Sequence, residues 1–195
     1  SWIEHTPSKR TVKCSNHFGD TIMILTALRP FLFSNLGGLM IYTSCHKNFQ
    51  TINYKTYAIS SNHGCDADYH GFWYPTLAPK KDFWLVWHKN IGVVPEEVNN
   101  RYYIEEYYKQ VLSKLDPEIV YEDLKNSVLL CYEEAPLFCH RHIVAAWLEL
   151  TLGISVPEVA LVDNKIIFLE HPIYIKKELI QVMKNDKGLC KRLIK

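Results

Sequence analysis

The segment 127–132, Ser-Val-Leu-Leu-Cys-Tyr, is an uninterrupted apolar run that constrains the fold more than any other part of the chain. A short run of this kind is typical of a strand inside a parallel sheet that is covered on both faces. After a short loop, residues 140–152 show helical periodicity, and Gly153 follows as a typical helix end. The residues that share the apolar face of this predicted helix are Ile143, Val144, Trp147, Leu150 and Thr151.

The same alternation of strand and helix continues along the chain. Strands are predicted at 40–43, 56–60, 156–162 and 165–169, and helices at 80–90, 95–115 and 116–124. In the last of these helices, Asp116 is the expected N-cap, and the residues expected to face inward are Ile119, Val120, Asp123 and Leu124. These elements predict an α/β fold, a three-layer sandwich with a small, mainly parallel sheet flanked by helices.

The domain organisation is predicted from the contrast between the two ends of the chain. Residues 1–39 show no clean hydrophobic period of 2 or 3.6 residues. The Gly37-Gly38 pair stands just before Met40, and two glycine codons at this distance from a methionine codon can have the sequence of a bacterial ribosome-binding site. We therefore interpret 1–39 either as translated upstream sequence or as an ordinary N-terminal extension. Residues 40–195 are predicted to form a single α/β domain with a basic, partly helical C-terminal tail from 173 onwards.

Charge, cysteine content and hydrophobicity bear on the partners and the cellular compartment of this chain. The formal net charge is +1, which neither indicates nor excludes nucleic acid as a partner. The six cysteines are scattered without a C-x-x-C pair, which favours reduced thiols in a cytoplasmic protein. No apolar run approaches the roughly 20 residues that span a bilayer, so no membrane association is predicted.

Chemistry is expected where the predicted central strand ends and the next helix begins. In open α/β sheets, ligands bind beyond the carboxyl ends of the strands. Cys131 and Glu133 lie at that end, and Cys139 leads into the helix. We predict Glu133 as a general acid/base or nucleophile, with Cys131 or Cys139 as a second candidate nucleophile. The alternatives remain open: each thiol also suits an inert core position, and Glu133 also suits a solvated edge.

Several side chains are predicted to bind the substrate around this position. Arg141 carries a guanidinium suited to an anion, although a structural salt bridge is an equal alternative. His140 is preferred over His142, which points elsewhere on the helix and is expected in packing or at the surface. The remaining candidates either lie at or just after the ends of predicted strands or belong to the aromatic loop 65–79; they are Thr43, Ser44, Ser60, Tyr69 and Tyr74.

These motifs resemble a known family. Leu129-Leu130-Cys131-Tyr132-Glu133 followed by Cys139-His140-Arg141-His142 is similar to the signature of domain-of-unknown-function family 488, as found in its bacterial and phage members. Three further similar stretches are Ile41-Tyr42-Thr43-Ser44, Tyr57-Ala58-Ile59-Ser60, and Leu77-Ala78-Pro79 with Asp82-Phe83. The resemblance covers roughly residues 40–159. It implies a small α/β domain with a shared site, and it implies no established reaction.

Three functions are compatible with these features. The first is an enzyme acting on a small phosphate-bearing molecule such as a nucleotide or modified nucleoside, by hydrolysis or glycosyl transfer. The second is a non-catalytic module that binds nucleotides or nucleic acid, and the third is a zinc-stabilised structural domain. The cysteines and histidines at 131–142 do not have the usual spacing of a structural zinc site, so we predict no metal and no cofactor.

Overall fold

The computed structural model describes residues 40–51, 53–62 and 69–186. Its strands are β1 Ile41–Cys45, β2 Thr56–Ala58, β3 Phe72–Trp73, β4 Ser127–Cys131, β5 Glu158–Val162 and β6 Lys165–Leu169. Its α-helices are α1 Lys81–Lys89, α2 Glu96–Gln110, α3 Pro117–Leu124, α4 His140–Leu152 and α5 Ile173–Lys184. Two short 3-10 turns, Pro75–Leu77 and Leu112–Lys114, complete the regular structure of these ranges.

The sheet has six strands in the order β3-β2-β4-β1-β5-β6, and every pairing is parallel except that of β5 with β6. With its five flanking helices, it confirms the predicted α/β class and is consistent with a three-layer sandwich. β4 lies between β2 and β1, as expected for its continuous apolar sequence. The carboxyl ends of β1, β2 and β4 therefore meet at one edge of the sheet.

Alternate residues of the central strands enter two hydrophobic clusters on opposite faces of the sheet. Leu129 packs into the larger cluster, which also contains side chains from all five helices. Val128 and Leu130 pack into the smaller cluster, with Phe49 and Val159. Because side chains alternate across a strand, burying both faces requires the unbroken apolar sequence seen in β4.

Helix α4 is the element that brings the predicted site against the sheet. It begins at His140 with Cys139 as its N-cap, and it ends at Gly153, whose φ of 67° is the left-handed conformation typical of a helix end. Both ends agree with the prediction. The prediction of one apolar face was too narrow, because every residue from His140 to Leu148 is buried. Helix α4 contacts β1 and β4 on one side and α3 and α5 on others.

Some predicted boundaries were wrong. β1 continues to Cys45 because it pairs with β4 along its whole length, so Thr43 and Ser44 lie inside the strand. The described part of the aromatic loop contains β3 and the first 3-10 turn. Ile119 is exposed, whereas Val120 and Leu124 carry the buried face of α3. The predictions for residues 1–39, for 63–68 and for the tail after 186 lie outside the described residues.

Within the ranges that the structure describes, no helix combines the length and the apolar character needed to cross a bilayer.

The N-cap of α3 gives the first testable prediction. The Asp116 carboxylate accepts a hydrogen bond from the Glu118 backbone N–H at 2.9 Å, as the sequence predicted. We expect Asp116→Ala to lower the free energy of unfolding by about 1 kcal/mol, because a backbone donor loses its partner. Urea denaturation followed by tryptophan fluorescence measures this change. Asp116→Asn, which keeps a capping oxygen, is the control, and an equal loss in both variants would contradict the capping role.

Candidate functional site

Two thiols and an imidazole meet where β4 ends and α4 begins. His140 Nδ1 lies 3.3 Å from Cys131 Sγ and 4.0 Å from Cys139 Sγ. The two sulfur atoms and the ring nitrogen all lie within 4.8 Å of one another, and the three residues are buried. The structure therefore brings together both predicted cysteine candidates and His140, which follow each other within one strand–loop–helix unit.

The orientation of the His140 ring is set by a main-chain acceptor. Its Nε2 lies 3.0 Å from the carbonyl oxygen of Ile59, just after β2. Because a carbonyl oxygen only accepts, Nε2 carries a hydrogen whether the ring is neutral or charged, and Nδ1 is the ring nitrogen that faces the thiols. The ring also contacts Tyr107 edge to face at a centroid distance of 5.6 Å. Tyr107 is fixed in turn, because its hydroxyl donates to the carbonyl of Leu77 at 2.5 Å.

Glu133 lies beside the thiols and is the part of the site that reaches solvent. Its Oε2 is 3.9 Å from Cys131 Sγ, and the residue is only partly buried. Burial, and then the negative charge of the nearby Cys139 thiolate, raise the pKa of this carboxyl to about 7. A carboxyl of this kind can both accept and give up a proton near neutral pH, which is the property required of a general acid/base.

The two thiols respond to this environment in opposite directions. Burial opposes ionisation of Cys139, but the hydrogen bond from Cys131 and the positive charges of Arg141 and His140 outweigh it, so its pKa lies well below the ordinary value. Burial and the neighbouring Cys139 thiolate raise the pKa of Cys131 well above that value. The pair thus favours a single thiolate, on Cys139, that accepts a hydrogen bond from the Cys131 thiol.

Arg141 does not have the predicted role in direct anion binding in this structure. Its side chain has no solvent exposure, and its Nε lies 3.1 and 3.2 Å from the two carboxylate oxygens of Glu158 on β5. Its Nη2 is 3.0 Å from Glu158 Oε1, although that N–H lacks the alignment of a hydrogen bond. Its Nη1 donates to the main-chain oxygen of Glu133. The salt-bridge alternative therefore describes Arg141 better, and it holds the Glu133 loop through the backbone.

The predicted hydroxyl ligands are likewise engaged within the protein. The Thr43 hydroxyl donates to Glu158 Oε2 at 2.6 Å, and the Ser44 hydroxyl donates to the Val159 carbonyl at 2.6 Å. The Ser60 hydroxyl donates to the Asn62 carbonyl at 2.7 Å. All three residues are buried, so the structure places Thr43 and Ser44 in the sheet rather than in an open crevice.

The two predicted tyrosines have different positions. Tyr74 donates to Asp123 Oδ2 of α3 at 2.9 Å and packs against the larger hydrophobic cluster. Tyr69 contacts His46 edge to face at 4.9 Å, and His46 in turn lies 5.4 Å from the ring of Tyr132. His46 directly follows β1 and Tyr132 directly follows β4, so Tyr69 joins an aromatic group at the carboxyl edge of the sheet.

Glu158 and the histidine pair next to it were not found from the sequence. His142 is buried, as in the packing alternative, and its Nδ1 lies 2.8 Å from Nδ1 of His171. His171 Nε2 lies 2.8 Å from the Val156 carbonyl and must donate to it, so His142 donates in the Nδ1–Nδ1 contact. Glu158 is the first residue of the short strand β5, and its role depends on Arg141, which lies 17 residues earlier in the chain. The only signal in the sequence was that the strand predicted at 156–162 contains one carboxylate. A buried carboxylate almost always has a partner.

Taken together, these residues define a small α/β domain with a thiol–imidazole–carboxylate site at the carboxyl edge of its sheet. A family model described as the active DUF488-N3 subclade matches residues 46–152, from His46 to the end of α4. Since this range is more than half of the chain, the protein belongs to this family, which confirms the resemblance seen in the Cys131 and Cys139 motifs. No curated protein and no solved structure gives a significant match.

The buried ion pair between α4 and β5 gives the second prediction. We expect Arg141→Met to lower the free energy of unfolding by about 3–5 kcal/mol, because it leaves a buried carboxylate without its cation. The double variant Arg141→Met/Glu158→Leu should lose less than this single variant, which denaturant unfolding of both proteins would measure. Glu134→Gln, which removes an exposed pair with Lys47, is the control and should cost at most about 1 kcal/mol.

The pH dependence of stability gives the third prediction. Burial, and then the charge of Arg141, lower the pKa of His142 from 6.5 to about 3. Between pH 6.5 and about pH 3, this residue is protonated in the unfolded chain but not in the folded protein. The free energy of unfolding therefore falls as the pH is lowered across this range. Glu133 acts in the opposite sense: its raised pKa stabilises the fold at low pH, and that contribution is lost as the pH rises through about 7.

The two effects can be separated with single substitutions. Relative to the wild type, His142→Gln should gain stability as the pH falls from about 7 to about 5, by at most about 1.4 kcal/mol per pH unit. Glu133→Gln should lose stability relative to the wild type over the same change. Urea unfolding at both pH values measures these differences, and two variants that shift in the same direction would contradict the assignment.

Proposed function

We propose that this protein is an enzyme that acts on a phosphate-bearing small molecule, most suitably a nucleotide or a modified nucleoside. The observation that carries the proposal is the convergence of the Glu133 carboxyl with Cys131, Cys139 and His140 at the carboxyl edge of a parallel sheet. This edge is where α/β proteins bind ligands, and a carboxyl beside two thiols and an imidazole supplies acid, base and nucleophile in one place.

Glu133 has the central role in the proposed reaction. It is the member of the group that a substrate can reach directly, whereas the sulfur–imidazole cluster lies behind it in the protein. Glu133 acts as the general acid/base, and the cluster of Cys131, Cys139 and His140 supplies the nucleophile. Hydrolysis or transfer at the glycosidic bond of a nucleoside is the first reaction class to test, because the leaving base needs a proton that a carboxylic acid can donate.

Aromatic side chains at the same edge of the sheet as Glu133 support a ligand with a flat ring. Tyr132 is 38% exposed and adjoins Glu133, while His46 and Tyr69 extend the same aromatic group. Stacking of a base on an aromatic ring contributes about 1–3 kcal/mol. With Arg141 committed to Glu158, the phosphate is assigned to the exposed cation Lys47, which follows β1 by two residues and pairs with Glu134 in this structure.

The fourth prediction tests this proposal on the full-length protein. Purified protein is incubated with a panel of nucleotides and nucleosides, and release of free base or of phosphate is followed by liquid chromatography. We expect Glu133→Gln to reduce turnover by about 100-fold or more, the size of effect that a general acid/base contributes. Glu122→Gln changes an exposed carboxylate of α3 that pairs with Lys125, away from the site, and should leave turnover near the wild-type level.

The same panel also tests the alternative of a binding module. Nucleotides that stabilise the protein against heat without any conversion would favour non-catalytic binding and would refute the enzyme proposal. Equal activity of the wild type and Glu133→Gln would remove Glu133 from the mechanism. Tyr132→Leu should weaken binding of the base while leaving the fold intact, because the ring is exposed.

A further inference from the structure

We infer that Cys131, Cys139 and His140 form a binding site for a divalent transition-metal ion of the zinc class. The three ligand atoms are Cys131 Sγ, Cys139 Sγ and His140 Nδ1, and all lie within 4.8 Å of one another. This inference deepens the proposed function and rests on it for the chemistry, since it names what supplies the nucleophile. The site itself rests only on the geometry of the three side chains.

The separations of the ligand atoms match those around a tetrahedral ion. Zinc–sulfur bonds of about 2.3 Å and zinc–nitrogen bonds of about 2.0–2.1 Å place neighbouring ligand atoms about 3.5–3.8 Å apart. The His140 Nδ1 atom lies 3.3 Å from Cys131 Sγ and 4.0 Å from Cys139 Sγ, on either side of that range. Small rotations of buried side chains are therefore enough to surround an ion.

His140 is also held as metal-binding histidines are usually held. Its Nε2–H donates to the Ile59 carbonyl at 3.0 Å, so Nδ1 is the ring nitrogen that faces the two sulfurs and would bind the ion. Metal-ligating histidines almost always donate their second ring N–H to a carbonyl, a carboxylate or water, and this contact fixes the tautomer before the ion arrives.

The charges of the surroundings suit a divalent ion. Two thiolates neutralise a divalent cation, so the bound cluster adds no net charge to a buried position. Arg141 would otherwise oppose a cation nearby, but Glu158 accepts from it through both carboxylate oxygens. Three protein ligands leave the fourth position of a tetrahedral site open, and an open position is the mark of a catalytic zinc site.

A second group of ligand atoms, on His142, Glu158 and His171, suits a metal less well. The Glu158 carboxylate is already bound by the Arg141 guanidinium and the Thr43 hydroxyl. A metal ion there would lie next to an uncompensated guanidinium. The cysteine-containing group is therefore the metal site that the described residues favour, and His142 is outside it because its ring is turned towards His171.

A bound ion changes the role of the thiols in the proposed reaction. A bound ion would lower the pKa of a water at its open position. Glu133, 3.9 Å from Cys131 Sγ, would take one proton from that water; the hydroxide oxygen would bond to the sugar C1′ as the glycosidic bond breaks, and Glu133 would pass the same proton to the departing base. Zinc-dependent nucleobase deaminases also bind their ion with a histidine and two cysteines. In those enzymes a glutamate that does not bind the ion acts as the general acid/base for the zinc-bound water.

The fifth prediction tests the site by metal content and spectroscopy, independently of activity. Full-length protein is stripped with chelator and titrated with Zn²⁺ and with Co²⁺, and bound metal is measured by mass spectrometry. We expect equimolar binding and an intense sulfur-to-cobalt charge-transfer absorption. Cys131→Ser and Cys139→Ser should each weaken binding by more than the about 10–100-fold that loss of an outer-shell partner costs. Cys45→Ser is the control, because Cys45 lies opposite Cys131 on the neighbouring strand β1 but is not one of the three ligands. This variant should bind metal as the wild type does.

Each outcome decides one part of the account. Absence of the charge-transfer absorption in the wild-type protein, or unchanged binding in Cys131→Ser/Cys139→Ser, overturns the metal site even if a single variant misfolds. Equimolar metal without turnover of any nucleotide leaves the metal site standing and refutes the proposed function. Turnover that is unaffected by removal of the metal supports the proposed function and refutes the inference that a metal ion supplies its nucleophile.

Discussion

The ion pair between Arg141 and Glu158 is the interaction on which the arrangement of this domain most depends. Both side chains are essentially removed from water, which is costly for two charges unless their remaining hydrogen-bonding groups also find partners. Thr43, on β1, donates a hydrogen bond to the Glu158 carboxylate. The main-chain oxygen of Glu133, in the loop after β4, accepts a hydrogen bond from the Arg141 guanidinium. One charge pair thus joins two strands, a loop and a helix.

This requirement explains the position of the site. Arg141 can reach Glu158 only if the first turn of α4 lies over the sheet, and that position places Cys139 and His140 next to the end of β4. The contact of Arg141 with the Glu133 main chain then fixes the loop that carries the Glu133 carboxyl. A residue that sequence patterns suggest as a ligand for substrate acts instead by positioning the groups around it.

The features that the sequence predicted are those encoded by neighbours along the chain. The strand β4, the limits of α4, the Asp116 cap and the closeness of Cys131 to His140 all follow from residues within one strand–loop–helix unit. The features it missed depend on partners far along the chain. The extension of β1 is set by pairing with β4, and the burial of Arg141 is set by Glu158. Local patterns carry no record of such pairs, because spacing does not reveal which elements will touch.

The position of β1 in the sheet determines when this region can fold during synthesis. β1 lies between β4 and β5, so both strands that hydrogen-bond to it are synthesised long after it, and the guanidinium of Arg141 leaves the ribosome 17 residues before its carboxylate. Until β5 emerges, one edge of β1 stays open and a cation has no buried counter-charge. Translation must therefore pass Val162 before this region can close, and a ribosome that pauses earlier holds a chain prone to association through that edge.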